Sequence, residues 1–272
     1  VLTYNEFEKL RDFLYARTGI YIENGKCDSF LKKLEAYLLE NKYDNFRLFF
    51  YDLKFKDTKH LIQGIINLIT VNETYFFREK FQFEVLIEEI LPKLHDKRDP
   101  DEVIRILCAP SSSGEEVYSI ALYLIDENNI LAQRDIELVA IDIDSNVIEK
   151  AKRGVYNNRS VQFIPKHLKK RFFKAEEGKY FISKTIKDAV NFKVLNVMEK
   201  RNMKQLGKFD IIFSRNMLIY FDDQSRKEVG LTFHELLRPE GFIFLGHADK
   251  LSDESSLFSM QKLSKSLVYQ KV

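Results

Sequence analysis

Ile104-Arg-Ile-Leu-Cys-Ala-Pro-Ser-Ser-Ser-Gly-Glu-Glu-Val-Tyr-Ser-Ile-Ala-Leu122 is the stretch from which the fold is read. Its apolar opening, Val103 to Cys108, has the character of a parallel strand buried on both faces. Small residues run from Ala109 to Gly114. From Glu115 to Asp126 the apolar positions Val117, Ile120, Ala121 and Leu124 then share one helical face. Strand, small-residue turn and helix make the first unit of a doubly wound sheet, in which ligands sit beyond the strand ends. Small side chains let a ligand approach the backbone, and the helix N-terminus offers unpaired N–H groups. Glu115 and Glu116 stand where a phosphate would have to lie. They point away from an anion and toward a cationic ligand, such as an amino group or a sulfonium. The competing reading is that both carboxylates only complement the helix dipole.

The chain of 272 residues has room for two domains. Its 43 basic residues against 41 acidic ones leave a net charge of +2, which is no signature of a nucleic-acid coat or a membrane-surface protein. A hydrophobic content of 45%, with 23 Phe and 13 Tyr, is ample for globular cores. No apolar run approaches the ~18 residues of a membrane helix, and no signal-peptide pattern opens the sequence. The five histidines and two cysteines, Cys27 and Cys108, show no metal-ligand spacing. The expectation is a cytoplasmic protein with reduced thiols and no metal.

Upstream, Thr3 and Glu6 form a capping box ahead of Phe7, Leu10, Phe13 and Leu14, and Gly19 ends that helix. Further helices are expected over about 28–41, through Phe46, Phe49, Phe50 and Leu53, and from a Thr58 cap through Leu61, Ile62, Ile65, Ile66 and Ile69. Four short amphipathic helices predict an all-α N-terminal domain over residues 1–78. A helix of about 80–94 and a polar linker, together 79–102, lead to an α/β domain over 103–272. There the second strand ends at Asp142, where an acid is placed to accept both ribose hydroxyls of an adenosine cofactor. Asp144 is read as the N-cap of the following helix.

Between about 155 and 193 the α/β pattern breaks down. Six basic residues and no acid fill Arg159 to Lys174, and short strands follow at Tyr180–Ser183 and Val190–Val194. The basic run reads as a solvated helix face, with contact to an acidic partner as the second reading. Phe209 to Ser214 is the fourth strand of the sheet, with Arg215 and Asn216 leaving its end and Tyr220 within reach of the same cleft. Gly241–His247 and Leu267–Lys271 are expected to close the sheet as an antiparallel pair.

Five motifs in order carry a family resemblance. Asn72-Glu-Thr-Tyr-Phe-Phe-Arg78, Ser112-Ser-Gly-Glu-Glu-Val-Tyr-Ser119, Ala140-Ile-Asp-Ile-Asp-Ser145, Phe213-Ser-Arg-Asn-Met-Leu-Ile-Tyr-Phe221 and Leu237-Arg-Pro-Glu-Gly-Phe-Ile-Phe-Leu-Gly-His247 together resemble the CheR family, the chemoreceptor glutamate methyltransferases of bacterial chemotaxis. The resemblance implies an all-α N-terminal domain and a Rossmann-like S-adenosylmethionine methyltransferase domain with a small inserted β-subdomain at about 155–193. It implies a cytoplasmic monomer that acts on the cytoplasmic domain of a chemoreceptor, with no nucleic-acid partner and no membrane insertion. The product would be a γ-glutamyl methyl ester. Arg78 is assigned to orienting the substrate carboxylate, and Tyr220 to walling the methyl group. Asn72, Thr74, Arg78, Glu115, Glu116, Asp142, Asn196, Val197, Ser214, Arg215 and Asn216 are expected around S-adenosylmethionine or its product S-adenosylhomocysteine. Glu115, with Glu116, is assigned the cofactor's ammonium.

The chain departs from the family pattern at Pro110, which removes an N–H donor from the first loop, and at His247-Ala248-Asp249, where the usual acid is one methylene longer. Two other readings are weighed. A nucleic-acid methyltransferase of the base-amino type carries an Asn/Asp-Pro-Pro-aromatic motif after the fourth strand, where this chain has Arg215-Asn-Met-Leu218. A non-catalytic receptor- or cofactor-binding module has Pro110 in its favour, and Arg78, Asp142 and Tyr220 against it.

Overall fold

A computed structural model describes residues 3–56, 59–99, 101–126, 134–251 and 257–272. Thr58, expected to cap the fourth helix, lies outside the described residues. The first helix, α1 (Tyr4–Thr18), starts at the capping box, where Thr3 N donates to the Glu6 carboxylate at 2.8 Å and Glu6 N to Thr3 Oγ1 at 3.3 Å. It ends at Gly19, whose φ of 70° is the left-handed region open to glycine. A Cβ there would sit 3.2 Å from both a Phe221 ring carbon and Ser225 Oγ, so glycine also allows the end of α1 to approach the distant C-terminal half. A 3-10 turn (Asn24–Lys26) leads to α2 (Cys27–Glu40), then α3 (Phe46–Phe55) and α4 (Lys59–Ile69). Phe7, Leu10, Leu14, Leu34, Phe49, Leu53 and Ile65 are buried together, each worth about 1.5–3 kcal/mol over exposure.

After an irregular segment, α5 (Lys80–Val85) runs through one π-turn (Leu86–Ile90) into α6 (Leu91–Lys97). Pro92, at the start of α6, cannot donate to the preceding turn and crowds the carbonyl four residues back, which accounts for the widened turn. The α/β region follows as β1 (Ile104–Cys108), α7 (Glu115–Asp126), β2 (Ile136–Asp142), α8 (Ser145–Arg153), β3 (Val155–Tyr156), α9 (Lys166–Phe172), β4 (Phe173–Glu176), β5 (Lys179–Ile182), α10 (Lys184–Asp188) and β6 (Val190–Val194). It continues as α11 (Lys200–Lys204), β7 (Phe209–Ser214), α12 (Asp223–Leu236), β8 (Leu237–Leu245), β9 (Phe258–Lys262) and β10 (Leu267–Lys271).

Seven strands form one sheet in the order β6-β2-β1-β7-β8-β10-β9. The pairs among β6, β2, β1, β7 and β8 are parallel, while β10 runs antiparallel to β8 and β9. Ile106 and Cys108 pack into the core with α5 to α7, and Leu107 packs into the opposite core with α12. Burial on both faces is why β1 reads as an unbroken apolar run. The strand order reverses between β1 and β7, so the loops leaving their C-terminal ends diverge and open a crevice.

A second sheet, β3-β5-β4, is built on the hairpin that turns through Glu177 and Gly178 with φ of 49° and 73°. Val190–Val194, grouped with this insertion by sequence, instead pairs in parallel with β2 as an edge of the large sheet, Leu138 opposite Val190. The closing pair is wider than expected, since Phe258–Lys262 adds an edge strand beyond Leu267–Lys271. The basic run forms α9, with Leu168 and Phe172 turned inward and Lys169 over the Tyr180 ring at 5.5 Å. Among the described residues, no helix is long and apolar enough to cross a membrane.

Candidate functional site

A cavity of about 1080 Å³, counting the solvent at its mouth, opens over the C-terminal ends of β1, β2 and β7. Its walls come from six segments, those that follow α1, α4, β1, β2, β6 and β7. The turn after β1 is fixed by Ala109 N to Phe213 O at 2.9 Å and Ser111 N to Ile141 O at 2.8 Å. It is anchored again where Ser112 N donates to Asp142 Oδ2 at 2.8 Å. The donor that Pro110 lacks is thus made up on either side of it.

Asp142 is 4% exposed, and its other oxygen accepts from Asp144 N at 2.9 Å. Burial pushes its carboxyl up to about 6 against those backbone bonds. Asp144 caps α8 through Oδ1, accepting from Asn146 N at 2.8 Å, and through Oδ2 accepts from Thr70 Oγ1 at 2.5 Å and Asn72 Nδ2 at 2.7 Å. The cap residue therefore also ties the irregular segment after α4 to the sheet. The polar edge of α4 adds Gln63 Nε2 to Ile143 O at 2.7 Å and Asn67 Nδ2 to Ser145 Oγ at 3.0 Å. On the opposite rim, Arg17 O accepts from Asn196 Nδ2 at 2.7 Å, Ile20 bridges to Phe221, and Tyr15 donates to Asp222. The N-terminal helices thus close two sides of a cavity whose floor is the sheet.

A buried charged cluster lies against the cavity. Arg215, with its side chain 2% exposed, donates to Glu116 Oε2 at 2.9 Å and to Arg78 O at 2.8 Å, and lies 3.2 Å from Glu79 Oε2. The Glu116 carboxyl is pushed up by burial, and the positive charge of Arg215 offsets part of that rise. Glu116 Oε1, Arg215 Nε and Ser111 Oγ are buried and make no hydrogen bond, and all three residues line the cavity. Arg78 lines it too. Its guanidinium donates to Glu73 O at 3.3 Å and lies 5.8 Å from the Tyr75 ring, with no carboxylate partner among the described residues. Burial raises the Tyr220 hydroxyl while the charge of Arg78 lowers it, which places the two groups in one field. Phe77, Glu79, Ser112 and Asn216, all in the loops around this cavity, have φ between 47° and 61°, a region that side-chain-bearing residues occupy at a cost of ~1–3 kcal/mol where the surroundings impose it.

Of the residues singled out in the sequence, Asn72, Thr74, Arg78, Glu116, Asp142, Asn196, Val197, Arg215, Asn216 and Tyr220 line this one cavity. Glu115 and Ser214 are not among its lining residues. Glu115 is 1% exposed and accepts from Ser113 Oγ at 2.7 Å and Ser160 Oγ at 3.3 Å, bracing the turn against the insertion. Successive helical residues point about 100° apart, and of the two glutamates Glu116 turns to the cavity. The Asn196 side chain is engaged on both ends, by Arg17 O and by Met198 N at 2.9 Å. Sequence reasoning missed the walls given by Thr18, Ile20, Ile69 and Phe221. The capping box marks where α1 starts and Gly19 where it stops, but nothing local says what its end meets.

Asp142 carries a test of the cavity as an adenosine site. Its two oxygens each keep a lone pair beyond the backbone bonds, enough for two ribose hydroxyls. Asp142→Ala is expected to weaken cofactor binding about tenfold or more, from two contacts each worth on the order of 1 kcal/mol. In the native protein, affinity should hold above pH 6 and decline as pH falls through about 6, because protonation removes an acceptor. Calorimetric titration across that range checks both; an affinity untouched by the substitution removes Asp142 from the site.

The family described as CheR methyltransferase, SAM binding domain, matches residues 72–267. Chemotaxis protein methyltransferase 2 of Vibrio cholerae is 41% identical over 272 residues, all of this chain and 94% of that protein. A chemotaxis protein methyltransferase of Campylobacter jejuni is 38% identical over all of this chain and 97% of its own length. One from Salmonella typhimurium is 32% identical over 94% of this chain and 87% of its own.

Proposed function

Because the chain belongs to the CheR methyltransferase family and is an S-adenosylmethionine-dependent methyltransferase of chemotaxis, we propose that it esterifies glutamate side chains on the cytoplasmic helical bundle of chemoreceptors. The observation that carries this reading is the Arg78 guanidinium, which lines the cavity without a carboxylate of its own among the described residues. It suits an incoming carboxylate, by a charge-assisted hydrogen bond from a planar fork.

The residues present fit the cofactor. An unsatisfied carboxylate oxygen on Glu116 and an unsatisfied guanidinium N–H on Arg215, on side chains bonded to each other, complement an α-amino-acid end with its ammonium and carboxylate. Asp142 is placed for the ribose, and Ile20, Ile141, Leu195, Val197 and Phe221 supply apolar wall for a flat base. When bound, S-adenosylmethionine supplies a methyl group on a sulfonium, which leaves as a neutral thioether. The glutamate oxygen that forms the new C–O bond is anionic at neutral pH, since the free side chain has a pKa of about 4.3. No general base is required of the chain. Arg78 holds that carboxylate in line, Tyr220 walls the methyl path, and the closed N-terminal side keeps water out. Opposite charges are neutralised along the path, so a half-buried aromatic wall favours it over open solvent.

In this reading residues 1–78 form a helical domain that caps the site and faces the receptor. Residues 79–102 connect it to the methyltransferase domain, 103–272, and the protein works as a monomer in the cytoplasm. The test is incubation with tritium-labelled S-adenosylmethionine and receptor-containing membranes, with nucleic acid in parallel. Label should appear in the receptor and be released as methanol by base. Label that survives base, or that enters nucleic acid, overturns the substrate assignment.

A further inference from the structure

We propose that Asp249 is a positioning residue of the methyl-transfer site, one that sets the chain from Asn216 to Tyr220 without touching cofactor or substrate. The inference rests on the reading of Asn216 and Tyr220 as site residues and adds the group that places them. Past the end of β7, the chain turns through Asn216, whose φ is 58°, into a 3-10 turn at Leu218–Tyr220. Asp249 lies beyond the end of β8, in a turn closed by Asp249 N to Gly246 O at 3.0 Å. Its carboxylate is 7% exposed and is not among the residues lining the cavity. Oδ2 accepts from Asn216 N and from Gly246 N, the latter at 3.1 Å, and Oδ1 accepts from Ile219 N at 3.2 Å. One carboxylate thus joins the two strand ends and fixes both ends of the turn that carries Tyr220.

One further observation makes this a built arrangement. A Cβ on Gly246 would lie 2.7 Å from Asp249 Oδ2 and 2.8 Å from Asn216 N, so only glycine leaves room for the carboxylate to reach the loop. Hydrogen bonds to an ionised acceptor are also shorter and stronger than neutral ones. An amide in its place would offer one acceptor oxygen and turn an NH2 group toward a backbone N–H. Arg215 is held independently, by Glu116, Glu79 and the Arg78 carbonyl. Loss of the Asp249 carboxylate should therefore free Asn216 to Tyr220 while leaving Arg215 and the amino-acid end of the cofactor site in place.

The experiment compares Asp249→Asn and Gly246→Ala with the native chain, counting folded sites by titration with S-adenosylhomocysteine and measuring methyl transfer per site. Both variants are expected to lose about tenfold or more in kcat, with a smaller loss of product affinity through Asn216, because small displacements at a reacting centre act on turnover. A role in folding alone would lower the melting temperature and the number of sites, with kcat per site unchanged. If the asparagine variant binds no product, Gly246→Ala decides, since it crowds the same loop and leaves the charge. A kcat per site within twofold of native in the folded variant overturns the proposal. A native protein that binds S-adenosylmethionine but methylates no receptor would count against the substrate reading instead.

Discussion

Arg78→Ala is expected to fold and melt as the native protein does and to lose about thirty- to a thousandfold in kcat/KM, equivalent to about 2–4 kcal/mol of transition-state stabilisation. The structure separates the two effects within one residue. What Arg78 gives the fold is its backbone carbonyl, which accepts from Arg215 at 2.8 Å and survives the substitution. What its side chain gives the fold is one bond of 3.3 Å to Glu73 O and a distant contact with Tyr75. Such a half-exposed guanidinium contributes little to stability. In the proposed reading its value in turnover comes from holding an anion in line beside Tyr220. Arg78→Lys should recover only part of the loss, because a point charge does not reproduce the planar two-pronged geometry. Methyl-ester formation and thermal unfolding, measured on the same preparations, check this. An Arg78→Ala protein that is well folded and nearly fully active would reduce the residue to part of a linker.

That Arg78 belongs in the site was legible only through its motif; why it reaches the site was not. Strands buried on both faces, such as Ile104–Cys108, announce themselves as apolar runs, and acids at their ends are positioned by the sheet itself. Edge strands do not. Phe258–Lys262 buries only Phe258, so its alternation is too weak to read, and Val190–Val194 buries only Val190, so its sequence neighbours decided its assignment. The walls formed by Thr18 and Ile20 depend on contacts with Asn196 and Phe221, about two hundred residues away. Helical periodicity at α1 says which face is apolar and nothing about where its end docks. Glu115 and Glu116 show the limit at the scale of one residue: the sequence places two carboxylates at the helix start, and only the rotation between neighbours says which of them lines the cavity.

The same rotation aims Glu116 at Arg215 and makes that buried pairing a vulnerable point of the site. Arg215→Ala would leave Glu116 and Glu79 facing each other across the space that a cation now fills, 2.9 Å and 3.2 Å from its nitrogens. Removing one partner of a buried ion cluster is expected to cost about 3–5 kcal/mol, a large part of the ~5–15 kcal/mol that holds a typical domain together. The sign of the pH dependence follows from the carboxyls. Burial already raises Glu116, and Arg215 works against that rise; without the arginine its folded pKa climbs further above the unfolded value. A raised folded pKa means that the folded state binds the proton more tightly. The defect should therefore be full at pH 7.5 and shrink as pH falls toward the ordinary carboxylate range. Adding Glu116→Gln should restore part of the stability, because one of the two stranded charges is gone and Glu79 no longer faces a second carboxylate, yet leave cofactor binding lost, because the amide offers no anion to an ammonium. Urea unfolding of the single and double variants at two pH values, with calorimetric titration of S-adenosylhomocysteine, separates the structural share from the binding share. A single variant equally stable at both pH values would mean that no buried carboxylate is stranded, and a double variant that binds like the native protein would mean that the Glu116–Arg215 pair does not hold the amino-acid end of the cofactor.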